Sequence, residues 1–208
     1  ESLKSSSLTV KSMEESPRTE RPKPPFTTST MQQDAGSRLG WGAQITMRIA
    51  QRLYENGYIT YMRTDSINLS EQALKAARQA ATALYGKDHV YETARLYQGK
   101  SKNAQEAHEA IRPAGDSFKT PGELAPELSR DEFALYDLIW KRTVASQMAD
   151  AKKMQMRVDF DVKTADGKDA IFRANGSVIT FPGFLAAYDD IATDENKDEE
   201  SVDRRLPA

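Results

Sequence analysis

The side chains best suited to chemistry stand close together, in the run Ile59-Thr60-Tyr61-Met62-Arg63-Thr64-Asp65-Ser66. Residues two apart in an extended segment share a face, so Tyr61 and Arg63 are expected to point the same way. A fixed cation favours the phenolate form of tyrosine, and a guanidinium binds phosphate through paired hydrogen bonds. The pair suits nucleophilic attack on a phosphodiester. Asp65 either contacts the same ligand or forms a turn or an ion pair with Arg63.

A second polar cluster follows in the run Asn103-Ala104-Gln105-Glu106-Ala107-His108-Glu109-Ala110-Ile111-Arg112-Pro113. The pattern predicts a short helix that Asn103 caps and Pro113 ends. On a helix, His108 and Arg112 are four residues apart and share a face, where they could bind a phosphate. The alternative is a surface helix with ordinary ion pairs. A metal site at His108 and Glu109 is disfavoured, because adjacent helical residues do not face one ligand.

Other polar groups are explained more simply by structure. Asp159 and Asp161 are two apart on a predicted strand and could bind magnesium. Their alternation with apolar residues favours carboxylates that face water instead. The hydroxyl-rich run from Phe26 to Gln33 begins a predicted helix, where a phosphate could bind, although helix capping explains the same residues. The sequence thus predicts no metal site in this chain.

Composition sets broad limits on function. The 208 residues have a net charge of -2, but 18 basic and 15 acidic residues occupy positions 22–153. Positions 186–208 hold eight acidic and three basic residues. The acidic end therefore conceals a mildly basic middle, and local field decides phosphate binding. The absence of cysteine excludes disulfides and thiolate chemistry. No apolar run has the length of a membrane span, so no membrane partner is expected.

Helical periodicity dominates the middle of the chain. Glycines divide residues 28–56 into two predicted helices, the first with a capping box at Thr30 and Gln33 or at Ser29 and Gln32. Gly57 follows the second helix. A third helix is predicted over residues 71–85, with Ser70 as its N-cap and Gly86 at its end.

A long amphipathic helix is predicted later in the chain. Thr120-Pro121 is typical of a helix start, and a capping box of Ser129 and Glu132 opens the long helix, which we expect to run to about Met148. Its predicted buried stripe consists of Phe133, Tyr136, Ile139, Trp140 and Val144.

The two ends of the chain have the period of β-strands. An apolar alternation near residue 8 predicts one strand, and a second alternation runs from Met154 to Val162. Asp166-Gly167 and Asn175-Gly176 are hairpin signals. We therefore expect an α+β fold, in which a helical domain (25–152) is inserted into a β domain. That β domain comprises a strand and linker (1–24) and a second part with an acidic tail (153–208).

These motifs together resemble the bacterial type IA DNA topoisomerases. The resemblance is carried by the runs 25–33, 50–66 and 104–113, in that order, and extends more loosely to Phe181-Pro182-Gly183-Phe184. It implies a winged-helix-like helical domain and a partial antiparallel β domain that belongs to an arch over a central hole.

The resemblance also implies an activity. Tyr61 would attack one DNA strand, become joined to the 5′ phosphate and release a 3′ hydroxyl, and Arg63 would hold the scissile phosphate. Thr60, Asp65, His108 and Arg112 would contact DNA. The intact enzyme would pass the other strand through the break, reseal it and relax negative supercoils without ATP. Its partners would be single-stranded and negatively supercoiled DNA, and its location the cytoplasm, at the nucleoid.

The chain departs from the family in one respect. The family's Mg²⁺ ligands lie in a Toprim domain, whose signature this sequence lacks, because Asp159 and Asp161 are followed by Lys163. The first and last residues, Glu1 and Ala208, also suggest a fragment, which we expect to be inactive without the Toprim and remaining arch domains. Two alternatives stay open: a non-enzymatic winged-helix DNA-binding module, and a purely structural interaction domain.

Overall fold

A computed structural model describes residues 8–97, 108–163 and 169–189. The chain divides into two compact units. Of the described residues, 8–20 and 151–182 form the sheet unit, and 21–150 and 183–189 form the helical unit. Three predicted features lie outside the described residues: the helix start at Asn103, the Asp166-Gly167 turn and the acidic tail.

The sheet unit is a three-stranded antiparallel sheet. Its strands are β1 (Leu8–Glu20), β2 (Ala151–Lys163) and β3 (Asp169–Phe181), in the order β1-β2-β3. Pro17 lies opposite Met154, on an edge strand where a missing backbone donor is tolerated. The prediction that the first strand shares a sheet with the strands after residue 153 is confirmed.

Two predictions about this sheet are wrong. Asn175-Gly176 is not a turn, because Asn175 lies opposite Arg157 and Gly176 opposite Met156 within β3. Asp159 does not face open water, because its carboxylate accepts hydrogen bonds of 2.7 and 3.1 Å from the Arg173 guanidinium on the neighbouring strand. These bonds hold the pKa of the Asp159 carboxyl below its ordinary value.

The helical unit holds six helices among the described residues. They are α1 (Thr28–Leu39), α2 (Ala43–Glu55), α3 (Glu71–Tyr85), α4 (Pro121–Leu124), α5 (Arg130–Ala145) and α6 (Ala186–Asp189), with 3-10 turns at Lys87–His89 and Gly183–Leu185. The predicted pair of helices before residue 57 is confirmed, as is α3 with its caps at Ser70 and Gly86. The chain is thus α+β, as predicted.

Helix α5 forms the centre of this unit, in contact with α1, α2, α3, α4 and α6. The predicted capping box of Ser129 and Glu132 is present. Four of the five residues of the predicted stripe are buried, and Phe133 is half-buried. Burial extends around the helix after Leu135, because neighbours cover more than one face. The helix ends at Ala145, earlier than predicted.

Two further predictions in this unit are wrong. Helix α1 is capped by Thr27, whose hydroxyl accepts a hydrogen bond from the Thr30 backbone N–H, so neither predicted capping box forms. The described residues 108–113 are extended rather than helical, because Ile111 and Pro113 form backbone bridges to Phe26 and Ile59. No helix in the described ranges is both long and apolar enough to cross a membrane.

Candidate active site

The tyrosine segment, residues 59–66, follows α2 with neither helical nor regular sheet structure. Ile59 and Met62 are buried, with 2% and 4% exposure. Tyr61 is 45% exposed, and Arg63 and Asp65 are exposed as well. The apolar side chains therefore anchor the segment, while the side chains able to do chemistry face solvent.

The ring of Tyr61 is supported by α2. It packs edge-to-face against Tyr54, with 5.2 Å between ring centroids and 65° between the ring planes. Such pairs favour a defined ring orientation. Within the described ranges, the Tyr61 hydroxyl has no hydrogen-bond partner, and Arg63 has neither a hydrogen bond nor an ion pair. Both groups are therefore available to a ligand, and direct contact between them stays a prediction.

Thr60 fixes the backbone immediately before the tyrosine. Its N–H donates to the Arg112 carbonyl at 2.9 Å. Its hydroxyl donates to the Ala110 carbonyl at 2.9 Å and accepts from the Arg112 N–H at 3.0 Å. The Ala114 N–H donates to the Tyr58 carbonyl at 2.9 Å. The side chain predicted to contact DNA is thus already engaged with the 108–113 segment.

Thr28, the first residue of α1, fixes the backbone on the other side. Its N–H donates to the Thr64 carbonyl at 2.9 Å. Its hydroxyl lies 2.7 Å from the Met62 carbonyl, to which it donates, and accepts from the Thr64 N–H at 2.9 Å. Tyr61 therefore lies between two anchored positions.

Arg112 is buried, and its guanidinium donates four hydrogen bonds to protein partners within the described residues. Nε and Nη2 donate to Glu109 Oε2 at 3.0 and 2.7 Å. Nη1 donates to the carbonyls of Pro113 and Gly115 at 2.8 and 3.0 Å. The predicted helical face shared with His108 does not exist, because this segment is extended. These hydrogen bonds indicate a structural role for Arg112. A contact between Arg112 and DNA stays a prediction.

Glu109 ties this segment to the start of α3. Its second carboxylate oxygen accepts a hydrogen bond of 2.6 Å from the Ser70 N–H. Burial raises the pKa of the Glu109 carboxyl, but the hydrogen bonds from Arg112 and Ser70 outweigh it, so the pKa lies below its ordinary value of 4.5. Glu109 is therefore an ionised structural partner rather than a proton donor at neutral pH.

His108 is exposed at the edge of the described residues and has no hydrogen bond to other described residues.

Three residues further on, the Ile111 N–H donates to the Phe26 carbonyl at 2.9 Å. The stretches around Phe26, Tyr61 and Ile111 are far apart in sequence and form one site in the structure.

The resemblance places the Mg²⁺ ligands in a Toprim domain, and the described residues of this chain do not form a substitute for that site. Nowhere in the described ranges do three or more histidine, aspartate or glutamate side chains converge as metal ligands. Asp159 is paired with Arg173, and Asp161 forms an ion pair of 3.1 Å with Lys11. No step of the chemistry is therefore derived through a metal here.

Two residues of this site were missed from sequence. The sequence predicts Thr28 only as one of several helix-capping hydroxyls, although Thr27 and Thr30 form the cap and Thr28 binds the tyrosine segment. For Glu109 the sequence offers only a disfavoured metal site. Its spacing of three from Arg112 was the available signal, since such a spacing permits an ion pair.

Comparison with known proteins identifies the family. A family model described as DNA topoisomerase matches residues 1–208. DNA topoisomerase 1 of Mycolicibacterium smegmatis is 54% identical over 99% of this chain and 22% of its own length. The enzyme of the same name from Streptomyces coelicolor is 53% identical over 99% of this chain and 21% of its own length. The chain belongs to the DNA topoisomerase family, as its resemblance to the type IA enzymes predicted.

A solved structure supports the same relationship. The structure of full-length topoisomerase I from Thermotoga maritima is similar to this chain, with a TM-score of 0.70 and 37% sequence identity. The match covers 93% of this chain and 31% of the Thermotoga maritima chain. The chain spans about a fifth of the length of the curated relatives that it matches.

Proposed function

We propose that this chain carries the DNA-cleaving nucleophile of a type IA topoisomerase, and that the nucleophile is Tyr61. The observation that carries the proposal is an exposed tyrosine on a segment anchored at both ends, two residues from an exposed arginine that has no ion pair with any described residue. Anchoring favours catalysis because a nucleophile and a charge-stabilising group must be held in place before the reaction.

In the proposed reaction, Tyr61 Oη attacks the phosphorus of one DNA strand. A bond forms between Oη and phosphorus, the bond to the 3′ oxygen breaks, and the 3′ oxygen gains a proton as the phenol loses one. Arg63 binds the non-bridging oxygens, where negative charge develops. Religation reverses these steps, so the phosphotyrosine conserves the bond energy and no ATP is required.

The remaining assignments follow from the same proposal. Asp65 and His108 have exposed side chains that can reach DNA. Thr60 and Arg112 are engaged within the protein, which favours a positioning part in place of the predicted contacts. We place the Mg²⁺ requirement in a Toprim domain of the intact protein and the sheet unit in its arch. The helical unit would be the winged-helix-like gate, acting on single-stranded and negatively supercoiled DNA at the cytoplasmic nucleoid.

The nucleophile is tested in the intact parent protein with end-labelled single-stranded oligonucleotides and Mg²⁺. Tyr61→Phe should abolish covalent adducts that survive denaturation. Tyr54→Phe is the matched control, because it removes the hydroxyl of the neighbouring, equally exposed ring. A label at the 3′ end should remain with the protein, whereas a 5′ label should leave with the released fragment. Adducts that persist in Tyr61→Phe would exclude this assignment.

The present chain alone should not relax supercoils, and its affinity for single-stranded DNA should fall as salt rises. A non-enzymatic DNA-binding module would instead prefer duplex DNA and bind it equally well after Tyr61→Phe. A structural interaction domain would show no salt-dependent affinity. Titration with single-stranded and duplex oligonucleotides at two salt concentrations separates these three outcomes.

A further inference from the structure

The hydroxyl of Thr28 is not needed by the helix to which it belongs. The first turn of α1 is capped by Thr27 and Thr30, whose side chains satisfy each other's backbone N–H groups. Thr28 instead directs its hydroxyl out of the helix to the tyrosine segment, 34 residues away at Met62 and 36 away at Thr64. Local helix stability therefore does not explain this hydroxyl.

The contacts of Thr28 enclose one residue, Arg63. The hydroxyl has a single proton, and the shorter distance, 2.7 Å to the Met62 carbonyl against 3.1 Å to that of Thr64, favours donation to Met62. Its lone pair accepts the Thr64 N–H at 2.9 Å, and the Thr28 N–H returns a bond of 2.9 Å to the Thr64 carbonyl. The peptide units before and after Arg63 are thus both held by Thr28.

No polar partner among the described residues orients the guanidinium of Arg63. It lacks an ion pair and a hydrogen-bond partner there, and its side chain is exposed. The position of the guanidinium therefore depends on the backbone conformation at Arg63, which sets the direction of the Cα–Cβ bond. Met62, 4% exposed, prevents the segment from rotating, because rotation would expose that side chain to water.

We propose that Thr28 is a positioning residue for DNA cleavage, which fixes the backbone on both sides of Arg63 and so places its guanidinium beside Tyr61. This inference rests on the proposed function of Tyr61. It assigns to α1 a part in the reaction that does not require α1 itself to contact the scissile phosphate.

The test uses the intact parent protein with Mg²⁺ and compares four variants. Thr28→Val replaces the hydroxyl with a methyl group of similar size, and Thr28→Ala removes both groups without a steric conflict. Thr28→Ser retains the hydroxyl. Thr30→Val is the matched control, because it removes a hydroxyl from the same helical turn whose hydrogen bonds to described residues all go to Thr27.

We expect Thr28→Val and Thr28→Ala to lower the rate of adduct formation at saturating oligonucleotide by about tenfold, which corresponds to about 1.4 kcal/mol in the barrier. Affinity for the oligonucleotide should stay within about twofold, because the interaction acts on the transition state rather than on binding. Thr28→Ser should restore the rate, and amide hydrogen exchange at Thr64, whose N–H donates to the Thr28 hydroxyl, should rise only in the variants without that hydroxyl.

Each outcome decides between the two proposals. If Thr28→Val or Thr28→Ala cleaves as fast as the unsubstituted protein, or if Thr30→Val is equally slow, positioning by Thr28 is refuted while Tyr61 stands. If adducts persist in Tyr61→Phe, the function of Tyr61 is refuted and the inference about Thr28 falls with it.

Discussion

Replacing Arg112 with methionine should destabilise the helical unit by about 3 kcal/mol, because it removes a buried cation whose partners remain. Methionine preserves much of the length of the side chain and none of its donors. The Glu109 carboxylate would lose two hydrogen bonds, and the carbonyls of Pro113 and Gly115 would each lose one.

The expected loss in the free energy of unfolding depends on how exposed Glu109, the partner of Arg112, is to water. Removing one member of a fully buried ion pair costs about 3–5 kcal/mol. The Glu109 side chain is 29% exposed and keeps its bond from the Ser70 N–H, so water recovers part of the loss. The lower end of that range is therefore expected. In a double-mutant cycle with Glu109→Gln, the coupling between the two side chains should be about 1–2 kcal/mol.

Urea unfolding followed by tryptophan fluorescence measures this effect in the relevant unit. The two tryptophans of the chain, Trp41 and Trp140, both belong to the helical unit. Arg48→Met is a matched control, because Arg48 is exposed on α2 and has no ion pair in the described part of the chain. Its unfolding midpoint should stay close to that of the unsubstituted chain.

A DNA titration distinguishes a structural role of Arg112 from a direct contact between Arg112 and a DNA phosphate. If Arg112 bound a phosphate, Arg112→Met would lower the salt dependence of binding by about one counterion. The buried geometry predicts an unchanged salt dependence. An unfolding midpoint like that of Arg48→Met, together with a reduced salt dependence, would refute the structural account of Arg112.

Three further predictions use the same unfolding assay. Gly183→Ala should cost about 2 kcal/mol or more, because a Cβ there would lie 2.4 Å from the Asp150 carbonyl oxygen at a φ of +51°; an unchanged midpoint would refute this. The stability difference between Glu109→Gln and the unsubstituted chain should be present at pH 7 and shrink at pH values below 4.5, because the carboxyl's pKa is lowered by folding. A difference that stays constant at acid pH would contradict it. Ser129→Ala should cost about 1 kcal/mol by removing the N-cap of α5, and restoration by Ser129→Asp would attribute the loss to capping.

Local signals predicted the elements whose ends are set by their own residues. Helix α3 begins after Ser70 and ends at Gly86, because a capping hydroxyl and a terminal glycine act within one turn. The strands β1 and β2 were also predictable, since apolar and polar residues alternate near residue 8 and again from Met154 to Val162. In these elements local preference and tertiary structure agree.

Local signals failed where distant backbone groups compete. Residues 108–113 contain good helix formers, but Ile111 and Pro113 are bridged to Phe26 and Ile59, which a helix would prevent. Asn175-Gly176 has the composition of a tight turn, yet β3 continues through it, because pairing with β2 persists on both sides. Neither competing partner is visible within the window of sequence that generates the signal.

The site itself shows why its residues were partly predictable. Tyr61 and Arg63 were found from residue type, because chemistry restricts which side chains can attack or bind a phosphate. Thr28 and Glu109 were missed as parts of the site because threonine and glutamate have common local uses, and only the fold shows which use is realised.

The tyrosine segment lacks regular secondary structure, and its reactive side chains are exposed. Both features follow from the way in which its backbone is hydrogen-bonded. Backbone groups outside helices and sheets still require partners when they are buried. Those of Thr60 and Thr64 obtain them from the 108–113 segment and from α1. The exposed side chains are thereby freed from any part in holding the segment. A ligand can then engage Tyr61 and Arg63 without breaking the contacts that position them, which is the condition for a preorganised site.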